Sequence, residues 1–414
     1  MEAWDTGDII RVLEDTSMDT IPTHFLSTYY TDNYFSEEKR IRFEELPVKD
    51  RILAPYVKPL EKGRPIYREQ GTQTRDFLPP YVKMTDPLTP GTAVTPMARE
   101  VVRGRPTLSL AERYDLRSMR IAEDQTRALA MREAVQAFDA MHYGKLRFQY
   151  ERDLGADNPD VELDFDRAAN LTDIKLSGYW SDPSAKIYDD LEDYANRMNN
   201  ALRGGWPAVM YIGTAVTGVF KKNTQIKEML DTTYRGTAET SINRAITRVD
   251  RGVTFIGHLE GGIDVYSVKE DITLPNGNVE ALFPAKEVLM VAPGFSGIRA
   301  YGAIWNLKAI ETGTTRARFY PSRWMEPDGS AAFVQLESSP LMLPVDVNET
   351  LRAKVIAWSA PGVRCHAGGL SAPHQPEGFC CELRRFAFRR LSADRLNPGT
   401  PGCPRRTDRR HGTA

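Results

Sequence analysis

Arg318-Phe319-Tyr320-Pro321-Ser322-Arg323-Trp324, a polar turn, and then Phe333-Val334-Gln335-Leu336-Glu337-Ser338-Ser339-Pro340-Leu341-Met342-Leu343-Pro344 make up the most informative stretch of this 414-residue chain. From Phe333 to Glu337 apolar and polar side chains alternate, the period of a strand with one face on a core. Ser338-Ser339-Pro340 breaks the alternation before a short apolar run. The stretch carries no catalytic group. On its residues alone it reads as a core strand leaving a sheet.

Upstream lies the best-defined element. Ser109-Leu110-Ala111-Glu112 fits a capping box, in which the Ser109 hydroxyl accepts from the Glu112 amide while the Glu112 side chain reaches back. Tyr114, Ile121, Ala128, Met131, Val135 and Phe138 recur at helical spacing, and Gly144 suits the position just past the end. At about 1.5 Å per residue that helix is on the order of 50 Å long. Arg117 and Asp124 interrupt the stripe, so packing on a sheet is expected rather than a coiled coil.

The remaining chain divides by composition. Residues 1–42 read as an N-terminal arm: a short helix from Asp8 to Leu13, then the aromatic cluster Phe25, Tyr29, Tyr30, Tyr34 and Phe35. An arm has no core of its own, so these rings are expected to pack on another part of the chain or on a neighbouring subunit. Over 43–97 prolines recur between short alternating pieces such as Ile52-Leu53-Ala54 and Ile66-Tyr67-Arg68. Proline donates no ladder hydrogen bond, so this segment reads as a long, projecting two-stranded excursion that something else must cover. Residues 98–180 add strands and polar turns, from Tyr143 to Asp166, to the long helix. Within 181–315, Ser181-Asp182-Pro183 opens a helix through Ile187, Leu191, Tyr194, Met198 and Leu202, stopped by Gly204-Gly205. Pro207 to Ile212 is a continuous apolar run of buried-strand type, and Gly213-Thr214 starts a helix towards Leu230. Val253 to Ile256, Ile263 to Val268, Ile272 to Leu274 and Val288 to Ala292 read as strands, with Asn276-Gly277 a tight turn. A sheet flanked by helices places the chain in the α+β class.

Hydrophobic residues at 41% and charged residues at 27% describe an ordinary globular protein. No run of roughly 18 apolar residues predicts a membrane span, and the acidic start Met1-Glu2-Ala3-Trp4-Asp5 is unlike a signal peptide, so a cytoplasmic protein is expected. The net charge of -2 hides an uneven distribution. Residues 358–414 hold ten arginines and four acids, which leaves 44 basic and 52 acidic residues before them, a net of -8. All four cysteines, Cys365, Cys380, Cys381 and Cys403, also lie there, so the body has no disulfide or thiol chemistry. This Arg-, Pro- and Cys-rich tail has no sustained period and is expected to be disordered. It reads either as a basic arm for nucleic-acid phosphates or as a foreign extension from out-of-frame or read-through translation, which the composition favours.

Motifs that carry chemistry are missing. No phosphate-binding Gly-x-x-x-x-Gly-Lys-Ser/Thr loop occurs, and Gly204-Gly205 and Gly261-Gly262 are too sparse to cradle a pyrophosphate. Pro293-Gly294-Phe295-Ser296-Gly297 lacks the spacing of a nucleophile elbow. The body holds only His24, His142 and His258, none with a second histidine at metal-ligand spacing. Asp157, Asp160, Glu162, Asp164 and Asp166 lack the glycine and closing glutamate of a calcium loop and read as a solvated strand edge. No catalytic, metal or cofactor site is expected. A hydrolase would have to build its centre from scattered acids and those three histidines.

The block Phe319-Tyr320-Pro321-Ser322-Arg323-Trp324 followed by Ser338-Ser339-Pro340-Leu341-Met342-Leu343 resembles the closing segment of the major capsid protein E family of tailed, lambda-like phages. Phe77-Leu78-Pro79-Pro80-Tyr81-Val82-Lys83 is similar to that family's end of a projecting loop, and Arg299-Ala300-Tyr301-Gly302-Ala303-Ile304 to the strand entering its final part. The resemblance covers most of Pro22 to Ala357. It implies the Hong Kong 97-like capsid fold: N-terminal arm (1–42), extended β loop (43–97), peripheral domain with a long spine helix (98–180, with return strands 316–357) and axial domain (181–315). It also implies a phage or prophage shell subunit, assembled in the bacterial host cytoplasm into pentamers and hexamers of a virion capsid. Scaffolding, portal and decoration proteins, and packaged DNA held non-specifically, are the implied partners. A long arm and loop make sense only if a second subunit satisfies their apolar residues and backbone. Lys62, Arg64, Arg68, Glu69 and Arg75 on the loop, with Phe25, Tyr29 and Tyr30 on the arm, are therefore the candidate inter-subunit contacts. An encapsulin-like compartment shares the implied fold and differs in its contents, an enzyme cargo instead of long DNA.

Overall fold

The structure, a computed structural model, describes residues 10, 13, 21, 23–45, 73–94, 109–148, 161–175, 179–182, 184–226, 241–250, 252–259, 261–274 and 277–357. The excursion from 46 to 72, most of the Asp8 to Leu13 helix, Asp157, Asp160, Pro183, Asn276, the helix beyond Ile226 and the tail from Trp358 lie outside the described residues.

In chain order the elements are α1 (His24–Tyr29), β1 (Tyr30–Phe35), β2 (Ile41–Glu45), β3 (Gln73–Phe77), β4 (Val82–Leu88), α2 (Pro90–Val94), α3 (Leu110–Tyr143), β5 (Lys145–Phe148), β6 (Val161–Asp164) and β7 (Ile174–Lys175). They continue with α4 (Ile187–Asn200), β8 (Val209–Ile212), α5 (Thr214–Lys222), β9 (Ser241–Asp250), β10 (Val253–Leu259), β11 (Ile263–Val268), β12 (Asp271–Thr273), β13 (Val279–Ala281) and β14 (Glu287–Val291). The last are β15 (Gly297–Tyr301), α6 (Leu307–Glu311), β16 (Tyr320–Met325), β17 (Ala332–Ser338), β18 (Pro340–Pro344) and β19 (Thr350–Lys354).

A seven-stranded mixed sheet, in the order β7-β19-β14-β8-β11-β10-β9, organises one half of the body. Its central strands read as continuous apolar runs because both faces are covered. Met210, Ile212, Val288 and Met290 meet α4 and α5 through Leu191, Tyr194, Met198 and Phe220. Tyr211, Leu289 and Val291 turn the other way, onto Phe25 of α1 and Phe138 of α3. Phe25 and Tyr30 are thus buried in the chain's own core, Phe25 at 5.3 Å from the Phe138 ring and 4.9 Å from that of Tyr211. Of the expected packing partners for the arm, the structure supplies the chain itself at these two rings.

The long helix begins and ends as its sequence requires. Ser109 and Glu112 make the reciprocal capping box, and Gly144 closes it at φ 65°, a left-handed position where Arg167 also stands 3.0 Å from the site of a Cβ. Its buried face is offset from the apolar stripe: Ala128 is exposed, whereas Ala122, Gln125, Leu129, Glu133 and Ala137 are buried. The stripe misleads because polar side chains can be buried once paired. Gln125 donates to Asp86 (2.6 Å) and to the Val334 carbonyl (3.1 Å), and Glu133 holds Arg318.

The break at Ser338-Ser339-Pro340 is where the chain changes sheets. β17 is the middle strand of β16-β17-β4, all antiparallel, and β18 lies in β1-β15-β18, in which β1 runs parallel to β15. β17 is more deeply buried than its alternation predicts. Val334 and Leu336 face Leu129 and Phe319, while Gln335 and Glu337 on the opposite face are buried too, paired with Thr85 (3.1 Å) in the one case and with Tyr81 and Asn306 in the other. The helix expected from Ser181 starts at Ile187 instead, since the Asp182 carboxylate is used on the Ser184 amide and hydroxyl. It ends at Asn200, and a Cβ on Gly204 would lie 1.9 Å from the Met198 carbonyl oxygen.

Leu336→Ala is expected to lower the urea stability by about 2–5 kcal/mol, the cost of a large-to-small change in a closed core, whereas Ser109→Ala, at an exposed cap, is expected to cost about 1 kcal/mol.

Candidate assembly interface

The three stretches that carry the family resemblance meet at one junction. The Gly302 amide donates to the Ser339 carbonyl (2.9 Å), and the Ser339 hydroxyl donates to the Pro80 carbonyl (3.4 Å). A Cβ on Gly302 would lie 2.7 Å from the Pro79 ring, so this crossing needs glycine. Beneath it sits Glu337, 1% exposed, whose carboxylate accepts from Tyr81, Gln335 and Asn306 (3.1 Å) and faces the Lys83 ammonium at 3.3 Å. The Tyr81 hydroxyl in turn accepts from the Trp305 amide (3.2 Å). Burial and the adjacent Glu337 carboxylate both raise the Tyr81 pKa and keep its hydroxyl protonated as a donor.

A second buried carboxylate ties this junction to the long helix. Glu133, with no exposed surface, takes Arg318 through two hydrogen bonds (Nε 3.1 Å, Nη2 2.6 Å) and the Tyr301 hydroxyl at 3.2 Å. Burial opposes the Arg318 charge, but Glu133 more than offsets it, and the guanidinium pKa is raised. The Arg318 carbonyl accepts from Ser338 at 2.6 Å, which links the pair back to the sheet switch.

The three body histidines occupy separate places with separate partners. His24 meets the Tyr211 hydroxyl (3.0 Å), and His258 pairs with Asp264 (2.8 Å) on the half-exposed β10–β11 ladder. His142, in the last turn of α3, is fully buried, stacked on Phe138, and its Nε2 is 2.7 Å from Glu287. Glu287 also accepts two bonds from Arg352, and Arg352 reaches Asp173 at 2.6 Å. Arg167 caps the helix by donating to the Met141 and His142 carbonyls, a cation where the helix dipole favours one. Burial pushes His142 down to about 4. Burial alone would raise Glu287, but hydrogen bonds from His142 and Arg352 bring it to about 2. His142 Nδ1 is buried without a hydrogen-bond partner, so a second ring proton has nowhere to go. The cluster locks the helix to the seven-stranded sheet. Among the described residues, no group of three or more His, Cys, Asp or Glu side chains could hold a metal ion, and no helix is long and apolar enough to cross a membrane.

Of the candidate contact residues, Lys62, Arg64, Arg68 and Glu69 lie outside the described residues, and Arg75 stands in β3 opposite Phe43. Tyr29 is half-buried, its hydroxyl 2.9 Å from that of Tyr211, and Phe25 and Tyr30 are enclosed as described. The acidic run is placed at Glu162 and Asp164 of the exposed β6, where Lys145 and Arg147 neutralise it from β5. What the sequence reading missed includes five of the large apolar side chains left on the surface: Trp305, Leu307 and Ile310 around α6, and Trp324 and Met325 at the end of β16. Leu307 and Ile310 stand three apart on a five-residue helix, too short for a period to identify.

The described residues thus form an α+β fold, a long helix packed on paired sheets, with large apolar side chains exposed on braced loops. Residues 15–355 match the model of the family described as phage major capsid protein E. The chain belongs to this family, and it is a phage or prophage major capsid protein. It is 25% identical over 342 residues to the major capsid protein of Enterobacteria phage P21 and, equally, to the P21 prophage-derived major head protein of Escherichia coli O6:H1 strain CFT073. Each alignment covers 80% of this chain and 93% of the relative. The crystal structure of a prophage capsid protein from E. coli CFT073 superposes with a TM-score of 0.63 at 19% identity, covering 86% of this chain and all of that one. The capsid fold is therefore shared.

Two outcomes follow from the buried charges. Arg318→Leu is expected to cost about 3–5 kcal/mol by stranding Glu133, and adding Glu133→Leu is expected to recover part of that loss, as read from urea denaturation. For His142, the folded pKa of about 4 lies below the ordinary 6.5, so the unfolded chain binds the proton first and stability falls as pH drops from 6.5 towards 4. Glu287 adds a loss of the same sign below its unfolded value of 4.5, down to about 2. Between pH 7 and pH 5, where His142 accounts for most of this loss, the wild-type urea midpoint is expected to drop more than that of His142→Gln, which keeps a donor for Glu287 and does not titrate.

Proposed function

We propose that copies of this chain close into an icosahedral shell of pentamers and hexamers around a double-stranded DNA genome, assembled in the host cytoplasm and retained as the virion capsid. The carrying observation is the family match over residues 15–355 together with the shared capsid fold. In that shell residues 1–42 act as the arm, 43–97 as the extended loop, 98–180 with 316–357 as the peripheral domain, and 181–315 as the axial domain. Lys62, Arg64, Arg68, Glu69 and Arg75 supply charge pairs between subunits, each worth little singly at an exposed site. The acidic body, at -8 before residue 358, suits a wall beside a polyanion that it contains without gripping. Scaffolding, portal and decoration proteins are the expected company of such a subunit. The role is mechanical and needs no catalytic centre.

The reading as a non-viral compartment shell has less support, because the family and both curated relatives are of phage or prophage origin. Negative-stain microscopy of the purified full chain, and of residues 1–357 alone, tests the proposal. Closed particles of uniform diameter are expected from both, with nuclease-protected long DNA in those taken from infected or induced cells. A protein that stays monomeric at every concentration, or particles filled with an enzyme, would overturn it.

A further inference from the structure

Two exposed apolar faces with opposite charge lie on the same body. On the first, Trp305, Leu307 and Ile310 are 61%, 79% and 60% exposed. They are not on a loose loop. The Trp305 amide is held by Tyr81, which Glu337 holds in turn, and Asn306 both caps α6 at the Lys308 amide (3.0 Å) and donates to Glu337. Lys39 lies over the Trp305 ring at 4.1 Å and Lys308 projects from the helix itself, while the neighbouring Glu37 and Glu38 are paired with Arg316 (2.7 Å) and Arg42 (3.5 Å), which leaves a rim of two lysines with Glu311 at its far end. Large apolar side chains on a pre-formed support with a polar rim have the anatomy of an interface hot spot.

The second face is at the opposite end of β16 from the Glu337 junction, since Tyr320 pairs with Glu337 and Met325 with Ala332. Trp324 stacks on Phe333 (5.5 Å between ring centres), and Met325 beside it is 51% exposed. The turn that follows, Glu326-Pro327-Asp328-Gly329-Ser330-Ala331, contains two acids and no base. It is itself well formed: the Glu326 amide donates to Ala331, Asp328 accepts from the Ser330 amide, and the Ser330 hydroxyl donates to Glu326. A rigid apolar face with an acidic rim thus matches a rigid apolar face with a basic one.

We propose that the lysine-rimmed Trp305–Leu307–Ile310 face of one copy docks on the acid-rimmed Trp324–Met325 face of a second copy of the same chain. The two faces differ, so the contact is heterologous: each copy keeps one of either face free after the first contact, and propagation continues until a ring or shell closes. An isologous dimer would satisfy both partners and stop. The inference rests on the capsid reading and names one contact within it.

The test uses the full chain, with particles counted by sedimentation and microscopy. Lys308→Glu and Glu326→Lys are each expected to lower the particle yield about tenfold or more, because each places like charges across the contact, while the double variant is expected to restore it to within about twofold of wild type. In a parallel arm, p-benzoylphenylalanine in place of Leu307 is expected to cross-link, in assembled particles, to the peptide that holds Met325 of another copy. Single reversals that assemble like wild type, a folded double variant no better than the singles, or a cross-link mapped elsewhere would overturn the contact. Should the reversals fail to fold, the cross-link position alone decides. Wild-type protein that forms no particles would instead overturn the shell reading itself.

Discussion

Two carboxylates that water does not reach set the terms for this fold. Glu133 on the long helix and Glu337 on β17 are buried, and a buried charge is tolerated only when paired and fully hydrogen-bonded. Meeting that condition draws in Arg318 and Tyr301 for the first and Tyr81, Gln335, Asn306 and Lys83 for the second. These partners come from four distant parts of the chain. The acids therefore specify which loops cross, and they do so at the point where the chain leaves one sheet for another. Hydrophobic burial stabilises the body more, but it is less selective about register.

This explains why some parts could be read in the sequence and others could not. The long helix was legible because its ends carry local signals, Ser109 with Glu112 and Gly144, whose physics needs no tertiary partner. β8 was legible because a strand covered on both faces has no polar positions to confuse it. The buried face of the helix was not, since Gln125 and Glu133 look like solvent-facing residues until Asp86 and Arg318 are brought to them. The same holds for Gln335 and Glu337 on β17. In each case an expected polar face was buried through pairing that only the three-dimensional crossing supplies. The surface apolar residues were illegible for a different reason. Nothing local distinguishes Leu307 from a core leucine except the neighbours it lacks.

The lock at the far end of the helix has a similar logic with a different consequence. His142, Glu287, Arg352 and Arg167 join the last turn of α3 to β14 and β19, and Glu133 takes Arg318 further back in the same C-terminal third of the helix, which is thus held by charge as well as by apolar contact. Directional bonds at two separate points along the helix resist rotation about its axis, which a greasy contact would permit. For a subunit whose work is to hold angles between neighbours, such resistance is the useful property.

A closed shell needs interfaces weak enough to correct errors and numerous enough to hold. Small faces such as Trp305–Leu307–Ile310, braced from beneath and ringed by charge, lose little conformational freedom on contact because Glu337 has already ordered the loop that carries them. The cost of ordering is met during folding, before any neighbour arrives. The buried junction and the exposed face are thus one device: the same residues that make the three motifs cross inside the subunit fix the position of its surface anchor, and a change at Glu337 or Gly302 should reach assembly through geometry, without touching the interface itself.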